Sequence, residues 1–319
     1  MSDSRPIGVF DSGVGGLTVA AALQRRLPRE RLLYLGDTAR LPYGTKSAAT
    51  VRRYTQVNLD FLAHRGVKAV VVACNTASAL ALDGPDGGDR GDHSHHGDTA
   101  LPVWGVIEPG ADRAAAATRN GRVGVIATES TVSSDAYGSA LRRIVPGLEV
   151  WSQACPLLVP LIEEGWLDDP VTAEVARRYL EPLLAHDIDT LVLGCTHYPL
   201  IAPLLARIAG ERVVLVDSAA AVSHQVATEL AHRGMLAGPF DPGDPADSAD
   251  PSVARDHYCV TDASQRFERI AGDFLGRGIV LELANSAAVE VDEILVATGR
   301  IPNTDTLGLA EVGYALHPD

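Results

Sequence analysis

The strongest constraint on the fold of this chain is a series of four short apolar, β-branched runs that occurs twice in the same order. The first series comprises Ile7 to Phe10, Leu32 to Leu35, Ala69 to Ala73 and Val103 to Ile107, and the second comprises Val123 to Ala127, Leu148 to Trp151, Leu191 to Gly194 and Val213 to Val216. Helical stretches separate the runs, which is typical of parallel sheets covered on both faces. We therefore predict an α/β fold with two pseudo-symmetric lobes, each a mostly parallel sheet flanked by helices.

The length of 319 residues suits two domains of this kind. We predict a first lobe from residues 1–110 and 219–283, a second lobe from residues 111–218, and an atypical tail at 284–319. Open α/β sheets bind ligands beyond the carboxyl ends of their strands. The predicted active site therefore lies in the cleft between the two lobes.

Composition and charge exclude several classes of protein. Hydrophobic residues make up 46% of the chain, no long apolar run could cross a bilayer, and the N-terminus has no signal-peptide pattern. These features predict a cytoplasmic protein without membrane contact. The net charge of −14 argues against nucleic-acid binding. Only two lysines occur, Lys46 and Lys68, so there are few candidates for a Schiff base with pyridoxal phosphate.

Two acidic segments rich in Gly, Pro and Ser carry much of the negative charge. They are residues 83–98 and 241–256, each with five aspartates and one arginine. Such segments bury too little apolar area to offset the entropy of ordering, so we predict solvated loops. His93, His95 and His96 in the first segment have no matching ligand set, and we predict no metal site there.

The four cysteines are too few for a disulfide framework. Cys74 and Cys195 each follow the third run of a series, so the duplication places one thiol at the same strand tip in each lobe. If the lobes face each other, the two thiols approach one small ligand from opposite sides. Cys155 and Cys259 have no such relationship, and we interpret them as small buried hydrophobic residues.

Two opposed thiols suit the inversion of a stereocentre without a cofactor. One thiolate removes a proton while the opposite thiol delivers one to the other face. Backbone amides after each cysteine are predicted to lower the thiol pKa values. The helix starts near Asn75 and Thr196 are predicted to hold the carboxylates of the ligand.

Other polar side chains at the strand tips have less specific patterns. Asp11 and His197 are placed to exchange protons with the thiols, His197 most directly with Cys195. Asp11 could equally cap a helix. The glycines that follow it match neither the dinucleotide fingerprint nor a P-loop. Glu163 and Glu164 form a solvated helix face, unless one of them reaches the cleft.

Four motifs in order resemble those of the cofactor-independent glutamate racemases. They are Asp11-Ser-Gly-Val-Gly-Gly-Leu-Thr-Val, Gly36-Asp-Thr-Ala-Arg-Leu-Pro-Tyr-Gly, Ala73-Cys-Asn-Thr-Ala-Ser and Gly194-Cys-Thr-His-Tyr-Pro-Leu, and the resemblance extends from about Ile7 to Gly276. It implies an isomerase that interconverts L- and D-glutamate without a cofactor and supplies D-glutamate for peptidoglycan synthesis and cell shape. It leaves both a monomer and a homodimer open.

The resemblance also implies roles for individual residues. Cys74 and Cys195 become the two acid/bases, with Asp11 and His197 in support. Contact with substrate or tuning of the thiols is implied for Asp11, Ser12, Tyr43, Gly44, Asn75, Thr76, Thr196 and His197.

Two segments depart from the family pattern. An acidic loop at 83–99 stands where the family has a helix and connection, and the tail at 284–319 resembles an internal fragment of flavin-dependent disulfide reductases. Because no G-x-G-x-x-G occurs, we infer no flavin activity.

Four alternatives to glutamate racemisation remain. They are a racemase of another small acid, a thiol redox protein, a two-lobed binding protein and a non-catalytic interaction role such as gyrase inhibition.

Overall fold

A computed structural model describes residues 3–82, 101–238, 256–262, 265–275 and 281–284. The predictions for the acidic loop at 83–99, its three histidines and the tail after residue 284 concern residues outside these ranges, as does most of the second acidic segment. The described residues belong to one compact unit that ends at Ala284. None of its helices is both long and apolar enough to cross a membrane.

The described chain contains ten strands and eleven helices. The strands are β1 (Ile7–Asp11), β2 (Leu32–Gly36), β3 (Ala69–Val72), β4 (Val103–Gly105), β5 (Arg122–Ala127), β6 (Glu149–Ala154), β7 (Thr190–Gly194), β8 (Val214–Asp217), β9 (His257–Val260) and β10 (Leu281–Leu283). The helices are α1 (Leu17–Arg26), α2 (Ala48–His64), α3 (Asn75–Ala77), α4 (Ile107–Ala117), α5 (Glu129–Ser133), α6 (Ala136–Ile144), α7 (Leu158–Glu163), α8 (Pro170–Leu184), α9 (Ala202–Ala209), α10 (Ser218–His232) and α11 (Gln265–Leu275). Short 3₁₀ turns and one π-helical turn connect several of them.

The strands form two sheets, and every strand pairing in them is parallel. The first sheet has the order β10-β9-β2-β1-β3-β4, and the second has the order β6-β5-β7-β8. The segment β2-β1-β3-β4 therefore repeats in the second sheet as β6-β5-β7-β8. This topology confirms the predicted α/β fold of two mostly parallel sheets and the duplicated half-unit.

Burial on both faces explains why the strands read as continuous apolar runs. All residues of β1, β2, β3 and β7 are buried, and helices cover both faces of each sheet. Each sheet has one apolar cluster on either side, and Val71 and Val72 of β3 belong to opposite clusters. β6 lies at a sheet edge and is only partly buried, as its mixed sequence indicates.

The sequence-based series does not include β9 and β10, which extend the first sheet beyond β2. β9 follows the second acidic segment, and its four residues lack the long β-branched run that marks the central strands. Pairing with β2 compensates for this weak local signal, with Tyr34 beside Tyr258 and Leu35 beside Cys259.

The helix α4 spans residues 110 and 111, where the sequence-based boundary between the lobes falls. The helix α10, which begins at Ser218, packs against both α1 and α4. Helices at this junction therefore contact elements of both sheets.

A buried ion pair ties the start of β3 to the connection before β2, and its hydrogen bonds reach the N-terminal segment and the segment after α10. The Lys68 side chain is fully buried, and its ammonium contacts the Glu30 carboxylate at 2.5 Å. The same ammonium donates to the carbonyl oxygens of Asp3 and Met235, both at 2.8 Å. The other carboxylate oxygen of Glu30 accepts from the Ala237 amide at 2.8 Å. This lysine is therefore a structural residue at the start of β3.

We expect Lys68→Met to destabilise the protein by about 3 kcal/mol, because it leaves the Glu30 carboxylate buried without its cation. Urea denaturation followed by circular dichroism measures this loss. The double variant Lys68→Met/Glu30→Gln removes both charges and should be more stable than Lys68→Met alone. A single variant as stable as the wild type would contradict a structural role for the pair.

Candidate active site

The carboxyl ends of strands from both sheets surround one cavity of about 400 Å³. This volume lies within the range that encloses a small molecule such as an amino acid. Both Cys74 and Cys195 line it, one from each sheet. Most of the other site residues expected from the sequence also line this cavity, namely Ser12, Tyr43, Gly44, Asn75, Thr76, Thr196 and His197. The structure thus brings together nine of the ten predicted site residues around one cavity.

Asp11 is the tenth predicted residue, and it lies behind the cavity wall. It ends β1 and is 1% exposed. One of its carboxylate oxygens accepts from the Gly13 amide at 2.9 Å, and the other is buried without a hydrogen-bond partner among the described residues. Burial raises the pKa of this carboxyl, although the nearby His197 and the backbone amides of Gly13, Gly16 and Ser12 oppose the rise. Asp11 therefore influences the cavity through its charge.

Cys74 follows β3 and caps the short helix α3. Its sulfur accepts from the Ala77 amide at 3.5 Å, and its thiol donates to the Ser12 hydroxyl at 3.5 Å. Burial raises the pKa of this thiol to about 12, and the Asp11 carboxyl adds to the rise. The prediction of a lowered pKa for Cys74 is therefore wrong, because burial outweighs the amide and hydroxyl contacts. A pKa of about 12 favours the neutral thiol form of Cys74.

Cys195 follows β7 and has a different electrostatic environment. Its sulfur lies 3.8 Å from Nδ1 of His197, and Nε2 of the same ring lies 3.1 Å from the Glu163 carboxylate. The ring of Phe274 packs edge-on against the imidazole. This resolves the sequence alternative for α7, since Glu163 lines the cavity while Glu164 is exposed.

The surroundings of the His197 imidazole favour its protonated form. Burial alone would lower its pKa, but the contacts with Cys195 and Glu163 outweigh burial and raise the pKa to about 10. The two thiols of the cavity are therefore electrostatically unlike: Cys74 lies near a buried carboxyl, and Cys195 lies beside an imidazolium.

Polar side chains that follow Cys74 also line the cavity. Asn75 is 3% exposed, its carbonyl oxygen accepts from the Tyr137 hydroxyl at 2.7 Å, and its Nδ2 is buried without a partner among the described residues. The Thr76 hydroxyl contacts the Thr128 hydroxyl at 2.9 Å and that of Thr131 at 3.3 Å. These groups join the loop after β3 to the loop after β5 and offer hydrogen bonds to an anionic ligand.

A buried polar network holds the loop that carries Tyr43 and Gly44. The Asp37 carboxylate is fully buried and accepts from Arg40 at 2.8 Å, from Asn58 at 3.2 Å and from the Tyr43 hydroxyl. The sequence showed Asp37 as part of a polar turn without assigning it a role. Arg40 and Tyr43 are near it in the chain, but Asn58 belongs to α2, so its function as a shared acceptor depends in part on tertiary packing.

Several residues of the cavity were not found from the sequence. Thr128 and Glu129 follow β5, and Cys155 follows β6 directly. Their position after strands of the second series is the signal that could have indicated them. Cys155 is fully buried, as predicted, but it also lines the cavity, and burial raises the pKa of its thiol.

The four cysteines of the chain are buried and free. Within the described ranges, no group of three or more His, Cys, Asp or Glu side chains is arranged to hold a metal ion.

Two buried thiols line one amino-acid-sized cavity in a duplicated α/β fold, and each thiol follows a strand of a different sheet. This arrangement defines a class of enzyme in which paired cysteines line one substrate site. The chain belongs to the Asp/Glu/Hydantoin racemase family, whose model matches residues 17–226. This match and the relatives below confirm the resemblance seen in the sequence motifs.

Within this family, the chain is similar to individual glutamate racemases. The glutamate racemase of Geobacter metallireducens is 49% identical over 272 residues, which cover 85% of this chain and 93% of the relative. The crystal structure of glutamate racemase from Francisella tularensis in complex with D-glutamate has a TM-score of 0.76 at 35% identity, covering 89% of this chain and 100% of the other. The Thermus thermophilus glutamate racemase, in complex with β-chloro-D-alanine, has a TM-score of 0.72 at 43% identity, covering 89% and 98%.

Proposed function

We propose that the protein is an isomerase that interconverts L- and D-glutamate by proton transfer at the α-carbon, with Cys74 and Cys195 as the two acid/bases. The observation that supports this mechanism is the pair of buried thiols, one from each sheet, on a single cavity of about 400 Å³. The substrate assignment rests on relatives named glutamate racemase that are 44–49% identical over most of the chain.

The polar lining of the cavity suits a dicarboxylic amino acid. Nδ2 of Asn75 and the hydroxyls of Thr76 and Thr128 supply hydrogen-bond donors, and Thr196, which follows Cys195, also lines the cavity. A buried donor without a partner is costly, so a carboxylate that accepts from Nδ2 is stabilised at this position. Carboxylates held in this way orient the α-carbon between the two sulfurs.

Because the two thiols have different electrostatic surroundings, we assign Cys195 as the base and Cys74 as the acid when L-glutamate is the substrate. With L-glutamate bound, the Cys195 thiolate beside the His197 cation removes the α-proton, so the C–H bond breaks and an S–H bond forms. The electron pair left on the α-carbon delocalises into the adjacent carboxylate, where hydrogen-bond donors stabilise it. Cys74, a neutral thiol whose pKa is raised to about 12, delivers its proton to the opposite face and yields D-glutamate.

The reverse reaction uses the same groups with exchanged roles. Cys74 then acts as the base and Cys195 as the acid, and Asp11 behind Cys74 tunes the first of these steps through its charge. The product D-glutamate serves peptidoglycan synthesis and therefore cell shape. We place the enzyme in the cytoplasm, either as a monomer or as a homodimer.

Incubation of the purified protein with L-glutamate, L-aspartate or a hydantoin, each without added cofactor, tests the proposed activity. We expect optical rotation to decay to zero with glutamate and to remain constant with the other two. Loss of rotation with aspartate or a hydantoin alone would reassign the substrate. Constant rotation with all three would favour the non-catalytic alternatives.

Glu163 is expected to set the alkaline limit of activity through His197. The pKa of His197 is raised to about 10, in part by the Glu163 carboxylate, so His197 loses its proton only as the pH rises through that value. Glu163→Gln removes the negative neighbour and lowers the pKa of His197. The alkaline limb of kcat/KM for L-glutamate should therefore move to lower pH by about one unit.

Rate measurements from pH 6 to 11 determine this limb. The exposed neighbouring residue provides the matched control, and Glu164→Gln should leave the profile unchanged. A Glu163→Gln profile that overlays the wild type would contradict the proposed electrostatic role.

A further inference from the structure

The two ends of the Asn75 side-chain amide have different surroundings. Its carbonyl oxygen accepts a hydrogen bond from the Tyr137 hydroxyl at 2.7 Å. Its Nδ2 is buried and has no hydrogen-bond partner among the described residues, and Asn75 is one of the residues that line the cavity. Since Tyr137 takes the carbonyl end, the NH₂ group is the end of the amide that is left to a ligand.

This orientation matters because the two ends of an amide are chemically opposite. The NH₂ group donates to a carboxylate, whereas the carbonyl oxygen would repel it. The two ends are nearly equal in size, so packing alone does not choose between them. A phenol is a better donor than acceptor, and a buried tyrosine hydroxyl at 2.7 Å therefore favours the orientation in which the carbonyl oxygen of Asn75 faces Tyr137.

Tyr137 is itself held rigidly. It lies on α6, is 2% exposed, and its ring fits between two glycines. A Cβ atom at Gly194 would lie 3.0 Å from the ring, and one at Gly110 would lie 3.1 Å from it. Gly194 directly precedes Cys195. The ring therefore packs beside the strand tip that carries Cys195, while the hydroxyl contacts the residue that follows Cys74.

We propose that Tyr137 is a positioning residue that fixes the Asn75 amide with its NH₂ group toward a substrate carboxylate. It acts through Asn75, since it is not one of the described residues that line the cavity. This inference rests on the proposed function, because it assigns the carboxylate of glutamate as the partner of Nδ2. Tyr137, a residue of the second lobe, thus orients Asn75, a residue of the first lobe that lines the cavity.

The variant Tyr137→Phe tests this role, because it keeps the ring between the two glycines and removes only the hydroxyl. We expect KM for glutamate to rise about tenfold in both directions, the value for loss of a hydrogen bond of roughly 1.4 kcal/mol. The turnover number kcat should change much less, since the thiols are untouched. Tyr258→Phe is the matched control: its hydroxyl is also buried and bonded, to Gln24 at 3.2 Å, but it lies outside the cavity.

A double-mutant cycle with Asn75→Ala separates positioning from a general structural effect. If Tyr137 acts through Asn75, then adding Tyr137→Phe to Asn75→Ala should raise KM no further. Additive effects, or a Tyr137→Phe enzyme with wild-type KM, would overturn the proposal. A Tyr137→Phe chain that fails to fold while Tyr258→Phe folds would also overturn it, by assigning the hydroxyl to stability. Failure of the proposed function would appear separately, as a wild-type protein that does not racemise glutamate.

Discussion

Replacement of Cys74 or of Cys195 by serine is expected to abolish the racemisation of glutamate from either enantiomer. Each thiol serves one face of the α-carbon, so loss of either one interrupts both directions. A serine hydroxyl keeps the approximate shape of the side chain but is a far weaker acid than a thiol. We expect kcat to fall by about 1000-fold or more in each variant. Chiral chromatography of the product measures this loss.

An analogue of glutamate with a good leaving group on the β-carbon separates the two roles. Elimination from this analogue needs removal of the α-proton but no proton delivery to the α-carbon, so one working thiol suffices. The variant Cys74→Ser retains Cys195 and should eliminate only from the L-analogue, whereas Cys195→Ser should eliminate only from the D-analogue.

The control for these variants is Cys259→Ala. Cys259 is a buried thiol in β9, and it is not among the described residues that line the cavity. This variant should racemise glutamate at close to the wild-type rate. Processing of the same enantiomer by both serine variants would contradict the facing-thiol mechanism, as would near-normal racemisation by either one.

The variant Gly15→Ala is expected to reduce activity by at least about 100-fold, because a 1 Å displacement near reacting groups has effects of this size. A Cβ atom at this position would lie 2.1 Å from the Thr196 hydroxyl and 2.5 Å from Nδ1 of His197. The Thr196 backbone is held through its carbonyl oxygen by the Thr18 hydroxyl at 3.0 Å, and the His197 ring is held by Glu163 at 3.1 Å. Relief of the clash therefore moves the Thr196 hydroxyl and the His197 imidazole. The added methyl group therefore displaces the residues that follow Cys195.

Steady-state kinetics and thermal unfolding of the purified variant measure this effect. Gly13→Ala is the appropriate comparison in the same loop, since its Cβ would meet Leu41 at an ordinary 3.6 Å. It should lose much less activity than Gly15→Ala. Equal activity of both alanine variants would show that the close approach of the two lobes at Gly15 has no part in organising the site.

The sequence predicted the fold where the signal was local and repeated. The buried strands β1, β3, β5 and β7 read as continuous apolar runs, and the duplication placed Cys74 and Cys195 at equivalent tips. Strands β9 and β10 were not predicted, because their short sequences become strands through pairing, β9 with β2 and β10 with β9.

The residues of the candidate site likewise divide into those that a local sequence pattern indicates and those that it does not. Its motif residues were found because they follow strands directly. Tyr137 and Asp37 were not, since Tyr137 contacts Asn75 and Asp37 contacts Asn58, and both contacts depend on tertiary packing. The pKa of Cys74 could not be predicted either, because the amide near its sulfur is visible in the sequence while the extent of its burial is not.

Deuterium incorporation during the first fraction of turnover tests the two-thiol mechanism most directly. Wild-type enzyme is incubated with protiated L-glutamate in deuterium oxide, and the enantiomers are separated and analysed by mass spectrometry. The mechanism predicts that each molecule of D-glutamate carries one deuterium at the α-carbon, delivered by Cys74, while the unconverted L-glutamate retains its proton. Early D-glutamate that retains the original proton would show that a single base transfers it between faces, and would contradict the mechanism.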